Sequence, residues 1–451
     1  MSMLRPPFAR AGLAALTALA FSMPLHAQTT PSPEAALAQR VDRLQAELDA
    51  LKAQLAQLQR ERAGAQAAAP AAGASAPAAA APAATTAPTY APIAPEQPVP
   101  TGEPATVLSS YGEINYNHYN HSSDRTQADL RRAVLGFAHR FDDKTRVVTE
   151  FEVEHAIASS SDSGEFEVEQ AFIEHRFTPT YGLRAGLFLI PAGLLNENHE
   201  PTAYYGVERN FVETAIIPST WREGGLQVFG TYGNGLTAQA GVSTGFDITK
   251  WDAASTEGAE SPLGSIHQEL QLAKARDLSV FGALNWRGIP GLQLGGSAFT
   301  GGANQGQPGV PDMRVTLWDL HARWTPGRWD LAAVYARGQI SGTAEFNATL
   351  VGNPTLVPKT FDGWYAQAAY KVWSSGDYAL TPFARYERYN TGRSYADLGP
   401  GLTPPARPTE RVVTVGANFQ LTPGVVFKAD IQRFDVASEN NRFDLGLGWS
   451  F

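Results

Sequence analysis

The sequence predicts an all-β protein: a transmembrane antiparallel β-barrel of about sixteen strands, preceded by an N-terminal α-helical coiled coil. Three observations predict it. The chain ends on alternating residues, with Phe443, Leu445, Leu447, Trp449 and Phe451 apolar and Arg442, Asp444, Gly446 and Gly448 between them, as in a strand with one oily and one wet face. It opens like an exported protein, and no later run approaches the roughly 18 apolar residues that a membrane helix needs. Many further segments alternate in the same way, and the connections between them are short and long by turns, as in barrels with one tight rim and one loop-bearing rim.

Residues 1–27 read as a signal peptide: Arg5 and Arg10 are basic, residues 11–23 are mostly apolar, and Ala27 closes a cleavable Leu-His-Ala. The chain has no Cys, which removes a lipoprotein anchor, disulfides, thiolate catalysis and sulfur-based zinc sites. Mean hydropathy is −0.22, too polar for a helical membrane protein, while 42 Gly and 10% aromatics supply turn and strand formers. The net charge of −9 weighs against nucleic acid as a partner.

In residues 28–62, Leu37, Val41, Leu44, Leu48, Leu51, Leu55 and Leu58 recur at spacings of four and three. This is the a/d seam of a self-associating periplasmic coiled coil, the alternative being an amphipathic helix packed on its own barrel. So short a seam is marginal alone and reinforces an oligomer made elsewhere. Residues 63–107 are nearly all Ala, Pro, Gly, Ser and Thr and read as a disordered linker, with almost nothing to bury.

Residues 108–451 form the predicted barrel. Strands are expected to start near Tyr111, Leu130, Arg146, Phe166, Leu183, Gly225, Leu236, Ser279, Leu292, Arg314, Trp329, Phe361, Tyr378, Glu410, Val425 and Arg442. Gly, Pro, Asn and Asp fill short connections such as Asp142-Asp143-Lys144, Gly233-Asn234-Gly235 and Thr422-Pro423-Gly424, which are expected to face the periplasm. A soluble all-β protein would alternate too. Aromatics at strand ends, among them Phe141, Phe177, Trp286, Trp324, Trp329 and Trp449, instead match the girdles of an outer-membrane barrel in contact with lipid and lipopolysaccharide.

With the apolar phase outward, the inner wall carries both signs: Arg132, Arg140, Arg176, Arg184, Arg323, Arg385, Lys428 and Arg442 among others, against Glu113, Glu150, Glu152, Glu154, Glu174, Asp319, Glu387, Asp430 and Asp444 among others. Glu150, Glu152 and Glu154 stand opposite Arg132 and Arg140, so pairing across strands is expected. Lys is confined to Lys52, Lys144, Lys250, Lys274, Lys359, Lys371 and Lys428. The preference for Arg, which grips carboxylate and phosphate in bidentate fashion, suits small anionic solutes.

The third long connection, residues 191–224, contains Phe211, Val212, Ile216 and Ile217. It is too apolar for a solvated loop and is expected to fold into the barrel and narrow it. Glu197, His199 and Glu200 match no metal-ligand spacing, and neither a metal nor another cofactor is expected. An enzyme is not expected either, because inward His321 lacks the nucleophile and orienting pattern of a hydrolase.

The run Gly186-Leu187-Phe188-Leu189-Ile190-Pro191-Ala192-Gly193, followed by Asn198-His199-Glu200, Val207-Glu208-Arg209 and Trp221-Arg222-Glu223-Gly224-Gly225, resembles the phosphate-selective porin O/P family. The heptad helix is similar to that of the coiled-coil-bearing DcaP-like porins. The resemblance implies a homotrimeric barrel with an inward-folded third loop, and solutes such as phosphate or dicarboxylic and aromatic acids. The loop departs from the family's basic constriction, since Glu197, Glu200, Glu208, Glu213 and Glu223 face only Arg209 and Arg222. Arg209 and Arg222 are the candidate constriction cations, Arg132 and Arg184 the wall candidates, and Glu197 and Glu208 the acidic contacts. The expected function is passive diffusion of small hydrophilic, anionic solutes across the outer membrane; the alternative is a structural anchor tethered by its coiled coil.

Overall fold

The computed structural model describes residues 105–159 and 162–451, together with Lys52. The signal segment, the heptad seam and almost all of the Ala/Pro-rich stretch lie outside the described residues.

The strands are β1 (Ala105–Tyr119), β2 (Gln127–Arg140), β3 (Thr145–Glu154), β4 (Phe166–Arg176), β5 (Tyr181–Leu189), β6 (Arg222–Thr231), β7 (Leu236–Ser243), β8 (Ser279–Trp286), β9 (Leu292–Gly302), β10 (Arg314–Trp324), β11 (Trp329–Ser341), β12 (Thr360–Tyr370), β13 (Trp373–Ser375), β14 (Tyr378–Ser394), β15 (Glu410–Thr422), β16 (Val425–Phe434) and β17 (Arg442–Ser450). Every neighbour in sequence pairs antiparallel, except that β12 reaches past the three-residue β13 to pair with β14. β1 pairs with both β2 and β17, which closes sixteen wall strands into a ring with no free edge. Ser110 and Phe451 seal the seam with two backbone hydrogen bonds of 3.0 and 2.9 Å. Among the described residues no helix is long and apolar enough to cross a membrane.

The alternation settles which way each strand faces. Leu226, Val228, Val280, Leu284, Leu320 and Val415 are exposed on the outside, while their neighbours Gln227, Gln239, Asp319 and Thr414 are buried within. Exposed Phe141, Phe177, Tyr181, Tyr232, Trp324, Trp329 and Tyr378 gather at the short-turn rim, where amphipathic rings suit a membrane interface.

The inside is not uniformly wet. Residues 190–221, between β5 and β6, and residues 244–278, between β7 and β8, pack an apolar core within the barrel. Ile190, Val212, Ile216, Ile217 and Trp221 from the first meet Phe246, Ile248, Trp251, Leu263 and Ile266 from the second. Both rest on Phe281, Phe299, Val315, Leu317, Val334, Ile340 and Phe361 of the wall. Trp221 is fully buried, its ring centroid 4.6 Å from that of Phe299 and 5.5 Å from that of Phe246. The wall from β8 to β12 is therefore apolar inside over its long-loop half, because two loops cover it there.

Candidate functional site

A loop that enters a barrel without forming a strand has backbone N–H groups to satisfy. The wall supplies acceptors for the third loop. Asp319 accepts from Gly193 N (3.2 Å), Asp430 from Val207 N (2.6 Å) and Glu387 from Phe211 N (2.6 Å). Within the loop, Asn196 latches the two ends together: its Nδ2 donates to the carbonyls of Ile190 and Trp221, and its Oδ1 accepts from Trp221 N. Glu213 sits at the centre, accepting from Leu194 N, Leu195 N, Asn210 Nδ2 and Tyr365 Oη at 2.5–2.9 Å.

Charged residues line the interior along β1 to β6 and β14 to β17, and also the short-turn ends of β10 and β11, where Asp319, His321, Arg323 and Asp330 are buried. At the short-turn rim three guanidiniums converge on one carboxylate. Glu174 accepts from Arg184 Nε at 2.8 Å, and Arg146 Nη2 and Arg176 Nε lie 2.9 and 3.5 Å from it. Glu174 is buried, whereas the Arg146 and Arg176 side chains are each 25% exposed and that of Arg184 16%. Positive charge is in excess there and meets solvent.

The six residues singled out from sequence are placed as follows. Arg184 and Glu197 come together, 3.9 Å apart; Arg184 also donates to Gln227, and Glu197 accepts from Gln239. Arg132 is buried in the wall, its Nε 3.0 Å from Glu113 and its Nη atoms 3.1 and 3.5 Å from Glu152 and Glu154. Arg209 and Arg222 flank one residue, Thr220. Arg209 donates to the hydroxyls of Ser219 and Thr220 and to the His199 carbonyl. Arg222 donates to the Thr220 carbonyl and pairs with Glu167 and Glu269. Thr220 has φ of +49°, a left-handed conformation costly for a β-branched residue, and the two arginines brace it. Glu208 accepts from Asn115 and Asn117 on β1.

Two further features were not singled out. Glu174 with Arg146 and Arg176 could have been found from register, since Arg146 faces Glu174 and Glu174 faces Arg184 across adjacent strands. The Tyr111–Glu169–His199 chain could not, because His199 arrives from the third loop. Tyr111 donates to Glu169 at 2.5 Å and lies 2.6 Å from His199 Nε2. His321 has Asp319 on Nδ1 (2.6 Å) and Asn285 Oδ1 on Nε2 (2.7 Å), so the position a nucleophilic hydroxyl would take is filled by an amide.

Burial raises the carboxyls of Glu213 and Glu197 above their ordinary value of 4.5, and hydrogen bonds and, at Glu197, nearby cations only partly oppose it. The folded loop therefore binds protons more readily than the unfolded one. Loop docking gains stability as pH falls through the raised values and has all of that gain below the ordinary one. Amide hydrogen exchange across residues 193–220, corrected for its intrinsic rate, is expected to show greater protection at pH 5 than at pH 8. Equal protection would contradict the burial assignment.

No family model matches the chain. A protein of Aquifex aeolicus (strain VF5) described as uncharacterized is 29% identical over 355 residues, covering 76% of this chain and 79% of that one. Among solved structures, Salmonella typhi OmpF in complex with daunomycin matches with a TM-score of 0.55 at 14% identity, over 77% of this chain and 97% of that one. The outer membrane channel DcaP of Acinetobacter baumannii matches with a TM-score of 0.47 at 12% identity, over the same shares. The likeness to OmpF is one of fold: this chain has the closed sixteen-strand barrel of that outer-membrane porin.

Proposed function

We propose that this protein is an outer-membrane porin that lets small hydrophilic solutes, preferentially anions such as phosphate or carboxylates, diffuse passively along the charged side of its barrel. It works as a homotrimer whose N-terminal heptad helix reinforces the assembly. The observation that carries the reading is the excess of arginine at the short-turn rim, where Arg146, Arg176 and Arg184 share Glu174 and stay in contact with solvent. Bidentate, permanently charged donors there attract oxyanions and repel cations.

Recording from single channels in planar bilayers under a potassium chloride gradient tests it. The protein is expected to open discrete conductances with a reversal potential on the anion side, and Arg184→Ala to move that potential toward the cation side. An unmoved potential contradicts the role of Arg184. The apolar core that two loops build inside the barrel favours one second reading, a structural anchor, and a barrel silent under all voltages would support it.

A further inference from the structure

Glu152 on β3 faces Glu167 on β4 in register, and Glu169 follows on the same strand. One carboxylate oxygen from each of these three residues lies within 4.8 Å of the others. Clustering alone is not a site, but the surroundings do not neutralise this one. Glu113, Glu154 and Glu269 add three more carboxylates through their shared partners Arg132 and Arg222. Arg209 and Lys428 also act on Glu113, and His267 lies 3.4 Å from Glu269; nearest the trio, Glu152, Glu154, Glu167 and Glu169 share the guanidiniums of Arg132 and Arg222 and the imidazole of His199. Glu169 is 0% exposed; its Oε2 takes the Tyr111 hydroxyl, its Oε1 accepts no hydrogen bond, and His199 Nε2 stands 3.6 Å from that oxygen. A buried carboxylate oxygen without a donor costs several kcal/mol unless a cation or proton serves it.

We propose that Glu152, Glu167 and Glu169 bind a hard divalent cation, calcium, inside the barrel. An all-oxygen carboxylate set selects calcium or magnesium over softer metals. Calcium places its ligands about 2.3–2.6 Å from the ion, so two of them stand at most about 5 Å apart, and it tolerates irregular geometry that magnesium's octahedron does not; the three oxygens, all within 4.8 Å of one another, meet that limit. Water completes the shell from the side of Glu167 and Glu269, which are 25% and 24% exposed and provide a route in. The ion also ties β3 to β4 beside Arg222, where the third loop rejoins the wall.

The test uses the full-length protein in detergent, stripped with a chelator and titrated with calcium chloride by calorimetry at pH 7. One saturable calcium per chain is expected. Glu169→Gln and Glu167→Gln are each expected to weaken it by at least about tenfold, while Glu345→Gln, an exposed carboxylate on the β11–β12 connection, leaves it unchanged. If Glu169→Gln does not fold, the partly exposed Glu167 decides. Absence of saturable binding, or equal binding in wild type and both variants, overturns the proposal and leaves a proton shared between Glu152 and Glu169. The measurement needs no conductance, so it stands or falls apart from the porin reading.

Discussion

Glu213→Ala is expected to release the third loop from the barrel interior and raise single-channel conductance. Its two oxygens accept four hydrogen bonds, two of them from the backbone of Leu194 and Leu195, and the side chain is buried. Each buried N–H left without an acceptor costs about 1–3 kcal/mol, so the two backbone donors alone amount to roughly 2–6 kcal/mol against docking. The sixteen-strand ring makes its hydrogen bonds without Glu213, so the loss falls on the loop rather than on the barrel. Glu213→Gln keeps one acceptor oxygen and is expected to show a smaller effect, of about 1–2 kcal/mol. A variant series whose conductance and loop hydrogen exchange do not move would mean that Trp221 and its apolar neighbours hold the loop unaided.

That outcome would also bear on why charged residues persist in a wall that could be built from uncharged polar ones. Asp319, Glu387 and Asp430 look from sequence like lumen charges available to solute. In the fold each gives an oxygen to a backbone N–H of the third loop, and Glu387 and Asp319 are held in turn by Arg385 and His321. The negative charge of these three wall residues is thus fixed in place by the loop it supports, whereas the arginines around Glu174 keep part of their surface in solvent.

The barrel was legible because period-two patterning is local: fifteen of the sixteen wall strands begin within three residues of where alternation places them. β1 starts six residues earlier than Tyr111, since residues 105–110 lack a clean alternation and are drawn into the sheet by pairing with residues 135–140. The three residues of β13 are too few to show a period. The apolar lining of β8 to β12 was hidden for a different reason. Val315 and Leu317 alternate with Thr316 and Trp318, so both faces of that strand carry apolar groups, and what covers the inner one comes from residues 190–221 and 244–278, far from it in the chain. The predicted apolar third loop foretold burial, but not that a second loop, residues 244–278, joins it. Of the candidate site residues, Arg132 and its pairing with Glu152 and Glu154 followed from strand register, whereas the partners of Arg209 and Arg222 depend on the path of an irregular loop.

Arg132→Ala is expected to be the most damaging single change in the wall. Its guanidinium touches Glu113 on β1 and Glu152 and Glu154 on β3 together, at 3.0–3.5 Å and almost wholly out of water. Removing it leaves three carboxylates facing each other across β1, β2 and β3, and breaking a buried pair in this way costs about 3–5 kcal/mol. The loss is expected as a lower unfolding midpoint in denaturant with an unchanged slope, because the surface exposed on unfolding stays the same. Arg132→Lys keeps the charge but cannot reach three partners from one ammonium, so it is expected to recover only part of the stability. The double variant Arg132→Met with Glu152→Gln distinguishes charge from shape: it removes one carboxylate along with the cation and is expected to be more stable than Arg132→Met alone, and with Glu152→Gln measured by itself the cycle is expected to give a coupling of about 1–3 kcal/mol. Additive effects in that cycle would show that Arg132 supports the seam through packing of its stem, and that the carboxylates around it are already neutralised by other means.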